Sequence, residues 1–355
     1  MRVGEGLISV DGSFLEGGGQ ILRTSLSLSA LSGKSFKITR IRAGREKAGL
    51  KQQHRACVEA VAGICGAAFT GAEIGSSELV FEPGAVKGGG YRFDIGTAGS
   101  TTLLLQSILP LLVFAPEKAR VEIRGGTENP MAPSALYLQN VFIPLVKRMG
   151  LVEKISLEKW GWYPKGGGLL VAEVEPVGEL RAINLAERGE LKGIRGHSVV
   201  SNLPVHIAER QKESALKKLA GAGLGGKIAV ESAPSIGKGT ELFLCAEYGN
   251  SVAGFSSLGE IGKPAEKVGA EAAQELVEFN AGTAAVEHHL ADQALSYMAL
   301  GRGESRMSVS RVSRHLLTNA WVIQKFLDAE IAITGKEGLP GAVMVKGTGF
   351  GAGSL

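Results

Sequence analysis

Two segments at opposite ends of the chain carry residues suited to phosphate chemistry. Near the N-terminus, an apparent strand at 7–10 runs into the sequence Gly12-Ser-Phe-Leu-Glu16-Gly-Gly-Gly-Gln-Ile-Leu-Arg23. Three consecutive glycines let backbone amides approach a ligand, and the flanking Glu16 and Arg23 suit a site that holds a metal ion together with phosphate. Near the C-terminus, Ser313-Arg-His-Leu-Leu-Thr-Asn319 supplies a candidate nucleophile, His315. The alternatives are a tight turn for the glycines and an ordinary helix-start histidine.

Positive charge is concentrated in one short stretch. The formal net charge of the chain is +4. Residues 40–55 alone carry a net charge of +5, so the remaining residues sum to −1. The basic residues of the stretch are Arg40, Arg42, Arg45, Lys47, Lys51 and Arg55. A concentrated patch on a near-neutral body predicts a polyanionic ligand held at one place, whereas a solvated charged face is the alternative.

The composition is that of a globular protein long enough for two domains. The chain has 355 residues, 44% of them hydrophobic and 21% charged, which excludes a disordered protein. Glycine, with 51 residues, has about double its usual share of roughly 7% and follows no collagen-like period. We therefore expect the excess glycines in turns and ligand-binding loops.

The distribution of apolar residues and cysteines predicts a cytoplasmic protein without a membrane span. The most apolar stretch, 103–115, is too short to cross a bilayer, and the sequence does not start with a basic and then apolar leader. Cys57, Cys65 and Cys245 are odd in number and lack metal-binding spacing. They are predicted to be buried or free thiols in a reducing compartment.

An internal repeat is visible in the sequence. Residues 24–44 resemble residues 101–126, and each copy has an apolar segment, a break and a β-branched strand. Each is followed by an amphipathic segment and a strand pair. A third copy after about residue 280 is predicted from helical patterns at 285–300 and 315–327 and strands at 306–312 and 329–334. Ser and Leu alternate over 25–29 as in a strand, but comparison with the second copy favours a helix.

A segment without a counterpart, 185–269, separates the second copy from the third. Strands at 193–200, 227–232 and 241–248 and a helix at 208–219 predict a small inserted βαββ domain. The sequence thus predicts an α/β (α+β) protein with a large repeat domain, formed by 1–184 and 270–355, and this insert.

The repeat places one strand-to-helix turn three times around a common axis. That turn holds Arg42 and Arg45 in the first copy, Glu128-Asn129-Pro130 in the second and His315 in the third. We therefore expect these groups to converge on one cleft. A histidine at a helix start is held in the neutral form, which is the nucleophilic one.

Together these motifs resemble the RNA 3'-terminal phosphate cyclases over essentially the whole chain. The resemblance is carried by Glu16-Gly-Gly-Gly-Gln-Ile-Leu-Arg23, Ile41-Arg-Ala-Gly-Arg45, Gln53-His54, Gly96-Thr-Ala-Gly-Ser100, Gly125-Gly-Thr-Glu-Asn-Pro130, Tyr163-Pro-Lys-Gly-Gly-Gly168, Leu290-Ala-Asp-Gln293 and His315-Leu-Leu-Thr-Asn319. It implies three βαβαββ-type units resembling the C-terminal domain of translation initiation factor three. It also implies that the insert is a thioredoxin-like domain.

The resemblance further implies a ligase-type reaction with ATP and an RNA 3'-phosphate as substrates and Mg²⁺ or Mn²⁺ as the metal. His315 would take AMP from ATP and pass it to the RNA 3'-phosphate. The neighbouring 2'-OH would then displace AMP, which leaves a 2',3'-cyclic phosphate. The sequence leaves open the natural RNAs and whether the protein forms a homodimer.

Site residues follow by position in the family motifs. Glu16 is implied as the metal ligand and His315 as the catalytic residue. The residues implied to bind ATP or phosphate are Arg23, Arg42, Arg45, Gln53, His54, Gln106, Pro133, His289, Asp292 and Gln293. Pro133 and His289 would flank the adenine, although some relatives carry tyrosine in place of His289. His54 also lies on an apolar helix face, where a buried structural histidine is the alternative.

Two other functions are alternatives to the cyclase. Cyclase-like proteins of ribosome biogenesis share the fold without catalysis but lack the histidine nucleophile, which this chain retains. Enolpyruvyl transferases are built from similar repeated units with a basic cleft, yet they need no histidine nucleophile and lack the insert.

Overall fold

Three sheets with the same strand order organise the chain. The computed structural model describes residues 6–351, which form four four-stranded sheets and their flanking helices. In three of these sheets the first and second strands pair in parallel, and the fourth strand lies between the second and the third. The predicted mixed α/β class is confirmed.

The first two units each have the element order βαβαββ. The first unit comprises β1 (Ile8–Asp11), α1 (Gly19–Ser32), β2 (Phe36–Thr39), α2 (Gln52–Cys65), β3 (Ala68–Thr70) and β4 (Leu79–Glu82). The second comprises β5 (Gly89–Asp94), α3 (Thr101–Val113), β6 (Ala119–Gly125), a composite helix of α4 (Ala135–Tyr137), a π-helical turn (Leu138–Phe142) and α5 (Ile143–Arg148), then β7 (Val152–Lys159) and β8 (Gly168–Glu175).

The third unit is interrupted by the insert after its first strand, β9 (Asn184–Leu185). The insert comprises β10 (Leu191–Ser201), α6 (His206–Gly221), β11 (Lys227–Ser232), β12 (Gly239–Tyr248), β13 (Val252–Leu258) and α7 (Ala265–Ala281). The unit resumes with α8 (His288–Leu300), β14 (Arg302–Val309), α9 (Arg314–Phe326), β15 (Glu330–Thr334) and β16 (Gly341–Thr348). Because β9 pairs with β14, the insertion lies inside the third unit and not between the second and third.

The element order differs from the sequence prediction at three places. The βαββ order predicted for the insert omitted β13 and α7, and the boundary at residue 269 falls within α7. β13 contains glycine and serines and lacks a clear apolar alternation, so its pairing with β12 specifies it. The predicted last strand of the third unit, now β15, is followed by β16, which lies between β15 and β14.

The inserted sheet is covered on both faces. Along β12, Leu242, Leu244 and Ala246 pack into a cluster with residues of α6 and α7, whereas the alternate residues Phe243 and Cys245 belong to the main core. Successive side chains of a strand point to opposite faces. One face of the sheet therefore carries the insert's own helices and the other packs on the body of the protein.

The helix predicted over the Ser/Leu alternation is confirmed as part of α1. Residues Ser25 to Ser29 are all buried, so no polar face reveals the helical period. The hydroxyl of Ser27 donates to the carbonyls of Arg23 (3.0 Å) and Ser107 (2.5 Å). The hydroxyl of Ser29 likewise donates to the Lys34 carbonyl at 2.6 Å, so these two short polar side chains are hydrogen-bonded although they are buried.

The three cysteines are buried free thiols, as predicted. Burial is the main cause that raises the pKa of each thiol, which keeps it protonated and unreactive. Within residues 6–351, no helix combines the length and apolar character needed to cross a membrane.

Candidate active site

His315 lies in the first turn of α9, directly after the strand-to-helix turn of the third unit. Ser313 caps this helix, because its hydroxyl accepts a hydrogen bond from Leu316 N at 3.1 Å. The side chain of His315 is 42% exposed, so the imidazole is partly sheltered and still open to a substrate.

Two residues that follow His315 attach α9 to the first unit. The Thr318 hydroxyl accepts a hydrogen bond from Glu16 N at 3.3 Å. The side-chain oxygen Oδ1 of Asn319 accepts one from the Thr24 hydroxyl at 2.7 Å. Both residues had no role in the sequence analysis beyond belonging to a motif. They hold the start of α9 against the glycine loop. The N-terminal glycine motif and the segment around His315 therefore lie in contact.

The imidazole of His315 is oriented by Gln20, in the first turn of α1. Nδ1 of His315 and Oε1 of Gln20 are 2.8 Å apart. An amide oxygen only accepts, so the neutral imidazole donates from Nδ1 and carries its lone pair on Nε2. Nε2 faces Glu16, with 3.9 Å to Oε1. Sequence reasoning missed Gln20; its place in the glycine motif, one turn before Arg23, was the available signal.

The pKa of His315 is lowered, chiefly by burial. The Glu16 carboxylate opposes this effect, while Arg45, Arg23 and His289 act in the same direction as burial. The neutral imidazole is therefore favoured, which agrees with the prediction of a nucleophilic form. The sequence predicted this form from the position of His315 at a helix start. In the structure, burial is the larger cause of the lowered pKa.

The glycine loop positions the carboxylate of Glu16. Its Oε2 accepts a hydrogen bond from Gly18 N at 2.7 Å, and its Oε1 forms an ion pair with Arg45. Gly17 has φ 58°, a conformation that favours glycine, and its carbonyl accepts from Gly44 N at 3.1 Å. This bond places the loop of Arg45 directly over Glu16. The Glu16 side chain is only 7% exposed.

Glu16 fits a divalent metal site that substrate would complete. Within residues 6–351, no cluster of three or more His, Cys, Asp or Glu side chains could hold an ion by itself. Magnesium is commonly bound by one or two carboxylates together with substrate phosphates and water. One buried carboxylate beside the Arg45 guanidinium is consistent with that arrangement.

Arg23, in α1, lies within electrostatic reach of His315. Burial lowers its pKa, and Cys57, Glu16 and Asp292 oppose that effect. Burial, followed by the Glu287 carboxylate, raises the pKa of Asp292 well above its usual range, while Arg23 lowers it. Because a guanidinium is not deprotonated in proteins, Arg23 supplies a fixed positive charge under the site.

His54 packs directly behind the glycine loop. A Cβ on Gly19 would collide with its Nε2, and its Nδ1 accepts from Lys51 N at 3.4 Å. Burial lowers the pKa of His54 to about 3, with smaller contributions from Arg23 and other cations. His54 is therefore a neutral, buried side chain that supports the loop, which agrees with the structural alternative.

Arg42 lies in the same loop as Arg45 and is held differently. Its Nη1 donates to the carbonyl oxygens of Lys47 (2.7 Å) and Gly49 (2.8 Å). The guanidinium is within electrostatic reach of Arg45 and Glu16. Arg42 adopts φ 56°, a left-handed conformation that is uncommon for a side chain other than glycine. It shapes the loop and adds positive charge beside the Glu16 carboxylate.

Three glutamines of the predicted set join elements around the site. Gln53 Oε1 accepts a hydrogen bond from Ser100 N at 3.0 Å, which links α2 to the loop before α3. Gln106 Nε2 donates to Gln293 Oε1 at 2.7 Å, which links α3 to α8. Each bond joins two different units.

The residues predicted to flank adenine lie on different units. The Pro133 carbonyl accepts from the Thr102 hydroxyl at 2.7 Å, and His289 is an exposed side chain at the start of α8. The ring of His289 packs on that of His288 with centroids 3.9 Å apart. Within the described chain, no contact joins Pro133 to His289.

Glu128 does not join the other turn residues, contrary to the expectation from the repeat. It is 1% exposed, and its carboxyl group contacts that of Glu241 in β12 of the insert. Burial and the neighbouring Glu241 raise the pKa of Glu128 well above its usual range. The Glu128 side chain thus lies against the insert and does not join Arg45 and His315.

The sequence of this chain is similar to proteins of one known family. A family model described as RNA 3'-terminal phosphate cyclase matches residues 14–333. Proteins of that name from Methanopyrus kandleri, Nostoc punctiforme and Pyrobaculum aerophilum are 44%, 43% and 42% identical to this chain. The alignments cover 97%, 92% and 97% of this chain and 99%, 96% and 99% of the relatives.

The fold and the histidine-centred site define an α/β enzyme. The chain belongs to the RNA 3'-terminal phosphate cyclase family. Among solved structures, the enolpyruvyl transferase NikO from Streptomyces tendae aligns with a TM-score of 0.40 and 11% identity, over 98% of this chain and 50% of that chain. This similarity is too low to bear on fold or function.

Proposed function

We propose that this protein converts an RNA 3'-phosphate to a 2',3'-cyclic phosphate at the expense of ATP, through a covalent His315–AMP intermediate. The observation that carries the proposal is the orientation of His315. Its Nδ1 is bound to Gln20, and its Nε2 lies 3.9 Å from Glu16, beside Arg45. A neutral imidazole held among phosphate-binding groups suits nucleophilic attack on phosphorus.

In the first step, Nε2 forms a bond to the α-phosphorus of ATP, and the bond from that phosphorus to the bridging oxygen breaks to release pyrophosphate. Gln20 keeps the proton on Nδ1, so the lone pair stays on Nε2. Arg23 and Arg45 offset negative charge on the phosphate oxygens, which is the main requirement of phosphoryl-type transfer. A divalent metal bound through Glu16 would supply further charge neutralisation.

In the second step, an oxygen of the RNA 3'-phosphate forms a bond to the same phosphorus while the bond to Nε2 breaks. The product is RNA(3')pp(5')A, and His315 returns to the neutral imidazole. In the third step, the 2'-hydroxyl loses its proton and attacks the RNA phosphorus, and AMP leaves. A phosphate monoester dianion is a poor electrophile, so adenylation supplies the leaving group that makes ring closure feasible.

The remaining predicted residues have supporting places in this scheme. Arg42, Gln53 and His54 would shape or bind the phosphate region, and Gln106, Asp292 and Gln293 would brace the elements under the nucleotide. Pro133 and His289 would flank the adenine ring. Compared with a non-catalytic ribosome biogenesis factor, the retained histidine and its oriented Nε2 favour the enzyme.

We also propose a type of repeated unit, a division into two domains and a cellular location for this protein. The three like-ordered sheets support units of the kind found in the C-terminal domain of translation initiation factor three, with a thioredoxin-like insert. Of the division expected from the sequence, 1–184 and 270–355 for the large domain and 185–269 for the insert, we keep the two domains and extend the insert to the end of α7 at Ala281. We place the protein in the cytoplasm, as a monomer or a homodimer.

The test is incubation with ATP labelled in the α-phosphate and a divalent metal, without RNA. The protein should become labelled, and the label should be removed by acid and survive alkali, as a phosphoramidate does. Label that persists in His315→Ala would overturn the assignment of the nucleophile. Addition of RNA with a 3'-phosphate should then discharge the label and yield cyclic ends.

A further inference from the structure

A surface formed by two loops carries unpaired basic and aromatic side chains. Tyr163 is 62% exposed and Ile236 is 65% exposed. Lys165 and Lys238 are also exposed, and neither forms an ion pair with a carboxylate of residues 6–351. We call Tyr163, Lys165, Ile236 and Lys238 the loop surface. Its first two members belong to the second unit and its last two to the insert.

The loops of this surface are packed on one another. The backbone of Gly167 lies against the Ile236 side chain, and a Cβ on Gly237 would lie 3.6 Å from that of Lys165. The hydroxyl of Ser235 donates to the carbonyl of Trp160 at 2.8 Å. The loop of the second unit and the loop of the insert therefore form one continuous surface, rather than two separate tips.

The loop surface continues to the candidate active site through the loop at 96–100. A Cβ on Gly166 would lie 2.8 Å from the Cα of Ala98, and Ser100 N donates to Gln53 Oε1 at 3.0 Å. Gln53 precedes His54, which packs against Gly19, and the next residue, Gln20, contacts the His315 side chain. Contacts between successive loops thus link the loop surface with the segments that hold the nucleophile.

We propose that the loop surface binds the RNA strand upstream of its 3'-phosphate, with a base stacked on Tyr163 and phosphates contacted by Lys165 and Lys238. This inference rests on the proposed function. Single-stranded nucleic acids are commonly bound by aromatic rings that stack on bases and by cations that follow the backbone. The Tyr163 ring has no aromatic partner within residues 6–351, so its face is available. The insert thereby gains a role in substrate binding.

The test measures binding of 3'-phosphate RNA without ATP, by fluorescence anisotropy, for a dinucleotide and for a longer oligonucleotide. Tyr163→Ala should weaken binding of the longer RNA about five- to a hundredfold, because loss of one base stack has an effect of this size. Tyr163→Phe should bind like wild type, since stacking needs the ring and not the hydroxyl. Binding of the dinucleotide, which reaches only the active site, should change little.

The contribution of Lys165 and Lys238 is measured by the salt dependence of RNA binding. In Lys165→Ala/Lys238→Ala the dependence of log affinity on log salt should become shallower by about 0.7 for each RNA phosphate that the variant no longer neutralises. Lys217→Ala, on exposed α6 of the same insert, is the matched control and should keep the wild-type slope. Adenylation by ATP in the absence of RNA should stay normal in all these variants.

Three results would overturn the proposal: Tyr163→Ala and the double lysine variant behave like Lys217→Ala, Tyr163→Phe is as weak as Tyr163→Ala, or the dinucleotide is affected as strongly as the longer RNA. A failure of the proposed function is distinguishable. In that event wild-type protein would not form the adenylate, while the binding comparison among variants would still decide the role of this surface.

Discussion

The side chains of Gln20 and His315 are joined by a hydrogen bond of 2.8 Å, although 295 residues separate them in the chain. The bond connects the first turn of α1 with the first turn of α9. It fixes both the direction of the imidazole ring and the nitrogen that carries the proton. The first and third units therefore share the reactive group of the site.

Substitution of Gln20 should change the pH dependence of adenylation. In Gln20→Ala the imidazole loses its hydrogen-bond acceptor, which contributes about 1 kcal/mol, and the ring is no longer held in one orientation. We therefore expect the rate of adenylation to fall about tenfold. In Gln20→Glu the new carboxylate would raise the pKa of His315, so the acid limb of the rate profile should move to higher pH. Equal profiles for Gln20→Glu and wild type would contradict this role.

Loss of the Glu16 carboxylate should act chiefly on adenylation. Glu16→Ala removes the proposed metal ligand and leaves Arg45 unpaired, so the rate should fall and a higher metal concentration should be needed. Single-turnover label transfer from ATP measures this over a range of Mg²⁺ and Mn²⁺ concentrations. Glu46→Ala, an exposed residue of the adjacent loop, is the control and should be normal. An unchanged metal dependence in Glu16→Ala would assign Glu16 another role.

Arg42 and Arg45, in the strand-to-helix turn of the first unit, should be needed for phosphate binding. Loss of a charge-assisted hydrogen bond costs about 1.5–3 kcal/mol, so Arg42→Ala or Arg45→Ala should slow cyclisation of 3'-phosphate RNA about ten- to a hundredfold. Charge reversal should be worse. Arg55→Ala, whose side chain pairs with Glu59 on the exposed face of α2, is the control.

RNA ending in a 3'-hydroxyl should not react, because it offers no phosphate for AMP to join. Wild-type activity in the double variant Arg42→Ala/Arg45→Ala, or equal consumption of 3'-hydroxyl ends, would mean that the basic cluster is only a solvated face.

The carboxyl pair between the second unit and the insert should make stability depend on pH. Burial raises the folded-state pKa of Glu128 above its unfolded value near 4.5, so its contribution is complete below that pH and is lost as pH rises through the folded-state pKa. Besides Glu241, the groups that face the pair are the hydroxyls of Ser134 and Ser256 and the imidazole of His197.

Glu128→Gln keeps a neutral donor at this position and does not titrate. Relative to wild type it should gain stability as pH rises, by up to about 1.4 kcal/mol per pH unit until the native group ionises. Urea unfolding of both proteins at several pH values above 5 measures this difference. Glu46→Gln should show no such trend, and parallel stability curves for wild type and Glu128→Gln would refute the raised pKa of Glu128.

Some features were determined by the sequence alone because they depend on local pattern. The mixed α/β class, the helix over the Ser/Leu alternation of α1 and the buried free cysteines followed from periodicity, repetition and composition. The glycine motif and the segment around His315 also identified the family. Local patterns are readable in this way because helices and strands impose their own periods on the chain.

The tertiary structure decided which of these residues meet. It attached β9 to the third unit and placed β16 inside that sheet, through pairing between segments far apart in the chain. It also added β13 to the insert by pairing with β12, and α7 by packing on the sheet of the insert. It also chose Gln20 as the partner of His315, and it turned Glu128 away from the site toward Glu241. Sequence spacing carries no information on contacts across hundreds of residues, because they depend on how three similar units pack together.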